Sequence, residues 1–257
     1  MFSFPSRHHP LPAGSRSIFK ASFELPSGLH PKFDITLPRR YLTPPKSSCA
    51  LHAYFTLPSS VFIDRYQFLD PLFLASQNLV ALRSLSGEDD LEAPDWVLSR
   101  WGSAALFELA SPNATERDKG GEWTVTVPTH LRYLAGPQLE TDPPDQATVE
   151  VPWPAIFWAC EAEEGLKMSN NPFDRINLGY DGLFGPKTMF YHVPPSQDVE
   201  RLVAEVKVPV LDPDSAGFVR LGTAVAVMLG FLWICWKMVE GLRRGQRNSA
   251  KAGKKAQ

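Results

Sequence analysis

Between Gly217 and Lys237 the sequence reads GFVRLGTAVAVMLGFLWICWK, and from Leu221 to Trp236 it holds no charged side chain. Such a run admits one conformation in a bilayer, because a helix pairs every backbone N–H and C=O within itself. About 21 residues rising ~1.5 Å each cover roughly 30 Å, the thickness of a hydrocarbon core. The run is apolar on every face, which separates it from the one-sided stripe of a core helix. Arg220 is long enough to reach the headgroups at one end, and Trp233 and Trp236 suit the interface at the other. The sequence therefore predicts a transmembrane helix over 217–237.

The charge of the tail beyond that helix predicts its orientation. Lys237, Arg243, Arg244, Arg247, Lys251, Lys254 and Lys255 face Glu240 alone, a net charge of +6, so the tail over 238–257 is expected on the cytosolic side. With 26 basic and 28 acidic residues in the whole chain, residues 1–236 carry −8. That acidic balance excludes the basic surface of a nucleic-acid binder. Lys254 and Lys255 stand fourth and third from the last residue, Gln257. This placement fits a cytosolic dilysine signal for retrieval to the endoplasmic reticulum.

The opening MFSFPSRHHPLPAGSRS has no apolar core of roughly 7 to 15 residues and is broken by Pro5, Pro10 and Pro12. Residues 1–16 read as a flexible leader, which leaves the route of translocation open. From Ser17 onward one phrase recurs, an alternating apolar run that stops at proline. It ends at Pro26, Pro38, Pro58, Pro128, Pro152, Pro194 and Pro209. Alternation of this kind is the half-buried strand signal, and proline ends a strand because it has no N–H for the ladder. The expected fold is all-β: a β-sandwich-like domain over 17–211, then a linker over 212–216 and the single C-terminal helix. Leu69 to Leu82 and Val199 to Ala204 are the two short helical pieces the pattern allows. Ser86 to Asp95 and Ser111 to Glu122 read as polar loops. The second loop contains Asn113-Ala114-Thr115, an acceptable N-glycosylation site.

Of the three cysteines, Cys235 lies in the membrane run. Cys49 and Cys160 could join two strands in an oxidising compartment or stay as two buried thiols. The chain has no GxSxG, HExxH, GxGxxG, phosphate-loop or CxxC motif, so no catalytic, cofactor or metal residues are assigned. Asp212-Pro213-Asp214 has the form of a metal-holding carboxylate pair but reads as a solvated turn. Histidines 30, 52, 130 and 192 sit beside or within strand-like runs and read as hydrogen-bonded structural groups. Asp64, Tyr66, His130, Arg132 and Tyr133 form either a structural corner or a partner-facing patch. Gly222, Ala226 and Gly230 recur every four residues on the membrane helix and offer a narrow face for close packing against a partner helix.

Gly28-Leu29-His30-Pro31, the run from Cys49 to Pro58 continuing to Asp64 and Tyr66, Val127-Pro-Thr-His130-Leu-Arg132-Tyr133, and Val151-Pro-Trp-Pro-Ala-Ile-Phe-Trp-Ala-Cys160 together resemble the PIG-X family. The resemblance runs from about residue 17 to 237. It implies a luminal β-rich domain on one membrane helix, in the endoplasmic reticulum. It also implies the role of an accessory subunit of GPI mannosyltransferase I, which adds the first mannose to the GPI-anchor precursor from dolichol-phosphate-mannose. Such a subunit performs no chemistry and stabilises a multi-spanning PIG-M type catalytic partner. A lectin-like single-span cargo receptor, or a chaperone-type adaptor cycling to the endoplasmic reticulum, is the alternative reading.

Overall fold

The computed structural model describes residues 18–25, 28–99, 101–136, 139–140, 142–143, 145–161, 184, 188–196, 198–210 and 216–255, apart from the side chains of Tyr41 and of residues 244–255. They form two units, one reaching Val210 and one following it. Asp212, Asp214 and the leader lie outside the described residues.

The first unit is built of antiparallel strands. They are β1 (Lys20–Phe23), β2 (Lys32–Pro38), β3 (Ala50–Pro58), β4 (Val61–Phe62), β5 (Leu79–Gly87), β6 (Gly102–Leu109), β7 (Glu122–Pro128), β8 (His130–Leu131), β9 (Gln146–Pro152), β10 (Ala155–Glu161), β11 (Thr188–Val193) and β12 (Val203–Pro209). One sheet has the order β11-β10-β3-β6-β5 and a second the order β1-β2-β7, with the pairs β12-β9 and β4-β8 beside them. The sheets are stacked as an open sandwich. Proline is the last residue of β2, β3, β7, β9 and β12 and directly follows β11. Pro26 lies outside the described residues.

Period-two alternation builds the core. Phe33, Ile35 and Leu37 of β2, Leu51, Ala53, Phe55 and Leu57 of β3, and Trp123, Val125 and Val127 of β7 are all buried in one cluster. Aromatic edges tie the layers: Phe33 meets Phe23 at 5.0 Å and Phe55 at 5.4 Å, and Phe55 meets Phe107 at 5.8 Å between centroids. The alternate residues of the five-stranded sheet, Tyr54, Leu106, Phe157 and Phe190, form a second buried cluster that Phe184 packs against. Where β6 begins, Gly102 adopts φ +137, and a Cβ there would lie 2.1 Å from the Leu57 carbonyl oxygen. Only glycine lets β6 pass this close to the end of β3.

Of two helical expectations, one is shortened and one fails. Over Leu69 to Leu82 the helix is only α1 (Pro71–Ser76), begun by the Asp70 side chain accepting from Leu72 N–H and by Pro71 in the first turn. Asn78 then takes φ +56, its amide donates to the Thr124 carbonyl, and the chain enters β5. Val199 to Ala204 holds no helix, since Val203 and Ala204 pair with Pro152 and Val151. In the opposite direction, the loop over 111–122 contains α2 (Ala114–Asp118), closed by a capping box in which Asn113 Oδ1 accepts from Glu116 N–H and the Glu116 carboxylate accepts from Asn113 N–H.

The second unit is α3 (Ala216–Lys255). Its part from Ala216 to Arg243 is long and apolar enough to cross a membrane, and none of the apolar stretch is buried. No other described helix meets that test.

Candidate interaction surface

Cys49, just before β3, and Cys160 of β10 form a disulfide, with Cα atoms 4.1 Å apart. Ala50 and Ala159 are partners in the β3–β10 ladder, so the register itself brings the two thiols together. Such a bond across 111 residues belongs in an oxidising compartment.

The five residues read as corner or patch differ in burial. His130 and Arg132 build the corner. The His130 ring stacks on Phe62 at 5.1 Å, and its Nδ1 lies 2.7 Å from His30 Nδ1, one donating and the other accepting. Burial, and then the neighbouring His30, hold His130 below the usual imidazole range, with Asp64 acting in the opposite sense. Arg132 is only 3% exposed, lies 4.6 Å over the Phe62 ring, and donates to the carbonyls of Ser59 and Ala93. Burial lowers its pKa, while Glu88, Asp90 and Asp95 act in the opposite sense. Asp64 caps the 3-10 turn beginning at Arg65 by accepting from Tyr66 N–H. Tyr66 and Tyr133 point outward, 66% and 68% exposed.

Beside this corner runs an acidic, aromatic ledge. Trp96 is 58% exposed and Trp101 57%, with Val97 and Leu69 also open. Two backbone bonds and an ion pair hold the pieces together: Asp95 N–H donates to Tyr133 C=O at 3.1 Å, Glu88 N–H to Gly102 C=O at 2.8 Å, and Arg65 pairs with Asp89 at 2.8 Å. Glu88, Asp89, Asp90, Glu92 and Asp95 edge the ledge. Backbone N–H groups of Glu92 and Ala93 hold the Asp90 carboxyl below its ordinary range. Asp95 Oδ1 is shut from solvent with no hydrogen-bond partner. Motif and periodicity do not single out Trp96 and Trp101; two tryptophans at the border of an acidic, breaker-rich segment are the signal the sequence offers.

A cleft of about 670 Å³ is lined by His30, Tyr66, Gln67, Asp70, Phe73 and His130 among others. Across the domain, His52 is buried against Phe157 and donates from Nδ1 to the Ala50 carbonyl. Burial lowers its pKa to about 4. His192 lies in β11. Among the described residues no group of three or more His, Cys, Asp or Glu could hold a metal ion.

Asn113 and Thr115 are exposed. Gly222, Ala226 and Gly230 lie on the exposed surface of α3, and a Cβ added at either glycine would meet nothing within 4 Å. Lys254 and Lys255 fall within the backbone of α3, their side chains outside the described set.

The model of the PIG-X / PBN1 family matches residues 26–239, taking in both the sandwich and most of the apolar helix. The chain belongs to the PIG-X / PBN1 family. Its relatives carry the name Protein pbn1 or PBN1. The Aspergillus oryzae protein is 51% identical over 249 residues, which covers 93% of this chain and 44% of that one. The Emericella nidulans protein is 48% identical over 274 residues, covering 99% and 51%. The Saccharomyces cerevisiae protein is 30% identical over 218 residues, covering 83% and 43%. The chain thus spans about half the length of the curated PBN1 relatives it matches.

Proposed function

We propose that this chain acts in GPI-anchor biosynthesis as a non-catalytic subunit. Its role is to stabilise a multi-spanning PIG-M type mannosyltransferase that adds the first mannose in the endoplasmic-reticulum membrane. The observation that carries this reading is the PIG-X / PBN1 match extending through both the sandwich and the helix. In this reading residues 17–211 are luminal, 217–237 span, and 238–257 are a cytosolic tail whose Lys254 and Lys255 engage retrieval. Gly222, Ala226 and Gly230 meet a partner helix, and Asn113 carries an N-glycan. The disulfide between Cys49 and Cys160 supports a luminal domain.

The test is a mild-detergent capture of the full chain from membranes, with assay of first-mannose transfer. Co-purification of the transferase, and loss of transfer when the chain is removed, is the expected result. A capture that brings no transferase refutes the subunit. Endoglycosidase treatment of the same preparation checks the topology, with a mobility shift expected for wild type and none for Asn113→Gln. The lectin-like alternative draws on one observation, the cleft that sets Tyr66 beside Gln67 and Asp70, a mix of aromatic and polar side chains suited to a sugar ring. Co-capture of glycoprotein cargo, lost in Gln67→Ala, would favour it.

A further inference from the structure

The ledge beside Arg132 gathers apolar surface that the fold leaves uncovered. Tyr66, Leu69, Trp96, Val97, Trp101 and Tyr133 are all open to water. The backbone bonds and ion pair that join Asp95 to Tyr133, Glu88 to Gly102 and Arg65 to Asp89 bring the segments that carry them together. Single exposed apolar residues need no explanation, but a clustered aromatic group marks a surface that something covers. Tryptophan and tyrosine are also the residues that dominate protein–protein hot spots.

Charge decides what covers it. Between Ser86 and Trp101 the sequence places five carboxylates against Arg100 alone. Asp89 is paired with Arg65, and the buried Arg132 guanidinium lies close enough to Glu88, Asp90 and Asp95 to act on them, so the five carboxylates still outnumber the three arginines around them. A lipid surface suits aromatic side chains accompanied by lysine and arginine, whereas carboxylates are repelled by anionic headgroups. A second copy of this chain would set the same acids against themselves across a two-fold axis, which costs affinity. A positively charged segment faces neither penalty.

We propose that this acidic, aromatic ledge is the docking surface for a basic, apolar segment of a partner protein, its lysine or arginine set among the carboxylates and its apolar side chains laid on Trp96 and Trp101. The proposal rests on the subunit reading for its partner and names the part of the sandwich that engages it.

The experiment uses the full chain in native membranes, with photoreactive benzoylphenylalanine at position 96 or 101 and, as control, at Lys207, which is exposed on β12. Illumination should give an adduct from 96 and 101 and none from 207, and the crosslinked peptide of the partner should contain lysine or arginine among apolar residues. Glu92→Lys, which leaves the Arg65–Asp89 pair in place, should cut the adduct at least ~10-fold, the equivalent of ~1.4 kcal/mol. Raising salt from ~50 to ~500 mM should lower it further. No adduct, an adduct with lipid, an adduct within this chain or a second copy, or a crosslinked peptide lacking basic residues each overturns the proposal. If the transferase co-purifies with wild type yet no adduct forms, the ledge is wrong and the subunit reading stands. If an adduct forms on a basic segment of some other protein, the ledge stands and the transferase reading falls.

Discussion

Two groups of aromatic side chains in one small domain have opposite fates. Phe23, Phe33, Phe55 and Phe107 run edge to face through the sandwich and are fully or almost fully buried. Tyr66, Trp96, Trp101 and Tyr133 lie on the surface with more than half of each exposed. The first set contributes transfer free energy and aromatic contacts to folding. The second contributes little, because a side chain left in water gains almost nothing. The first group belongs to the core on which the domain folds, and more than half of each member of the second stays in water.

The deepest test of that contrast is Phe55→Ala. It removes the ring between Phe33 and Phe107 and should cost about 4 kcal/mol, read as a shift in the denaturation midpoint of the detergent-solubilised chain. A loss below ~1 kcal/mol would mean that the aromatic chain is not the core.

Next in size is a pH effect at the second cluster. The folded pKa of His52 is about 4, below the unfolded value of 6.5, so between those values the unfolded chain binds more protons. Stability should therefore fall as pH drops from 6.5 towards 4, with His52 accounting for up to about 3 kcal/mol of the loss. In His52→Gln that share of the slope should vanish; unchanged pH dependence would show that His52 charges without penalty. Trp96→Ser is expected to have the smallest effect, within about 0.5 kcal/mol of wild type. A larger loss would place the ledge among the parts that hold the fold.

The sandwich is legible in the sequence because its signals are local. Each proline-ended run carries its own alternation and its own stop, and Pro38, Pro58, Pro128, Pro152 and Pro209 end strands. The helix expected over Leu69 to Leu82 misleads for a tertiary reason. The periodicity does not show that Asn78 turns left-handed to reach Thr124 and hand the chain to β5. The helix α2 is open to a closer reading, since Asn113 and Glu116 have capping-box spacing. The ledge is not. It exists because Asp95 finds Tyr133, Arg65 finds Asp89, and Arg132 is pinned to Ser59 and Ala93, and each of these joins segments that share no local pattern. For the same reason the sequence leaves His130, Arg132 and Tyr133 unranked, whereas the structure buries Arg132 and exposes Tyr133.

The capping box at α2 has a chemical consequence for Asn113. The side-chain amide has two ends, and the helix uses only one of them, Oδ1, as acceptor for Glu116 N–H. N-linked attachment takes place at the other end, the nitrogen, and leaves the carbonyl oxygen in place. A saccharide can thus be carried at Asn113 with the first turn still closed. Enzymatic release that turns the residue into aspartate would substitute one good N-cap for another, with added negative charge at the positive end of the helix dipole. The same atom pair lets the position serve as a removable handle without disturbing the local backbone.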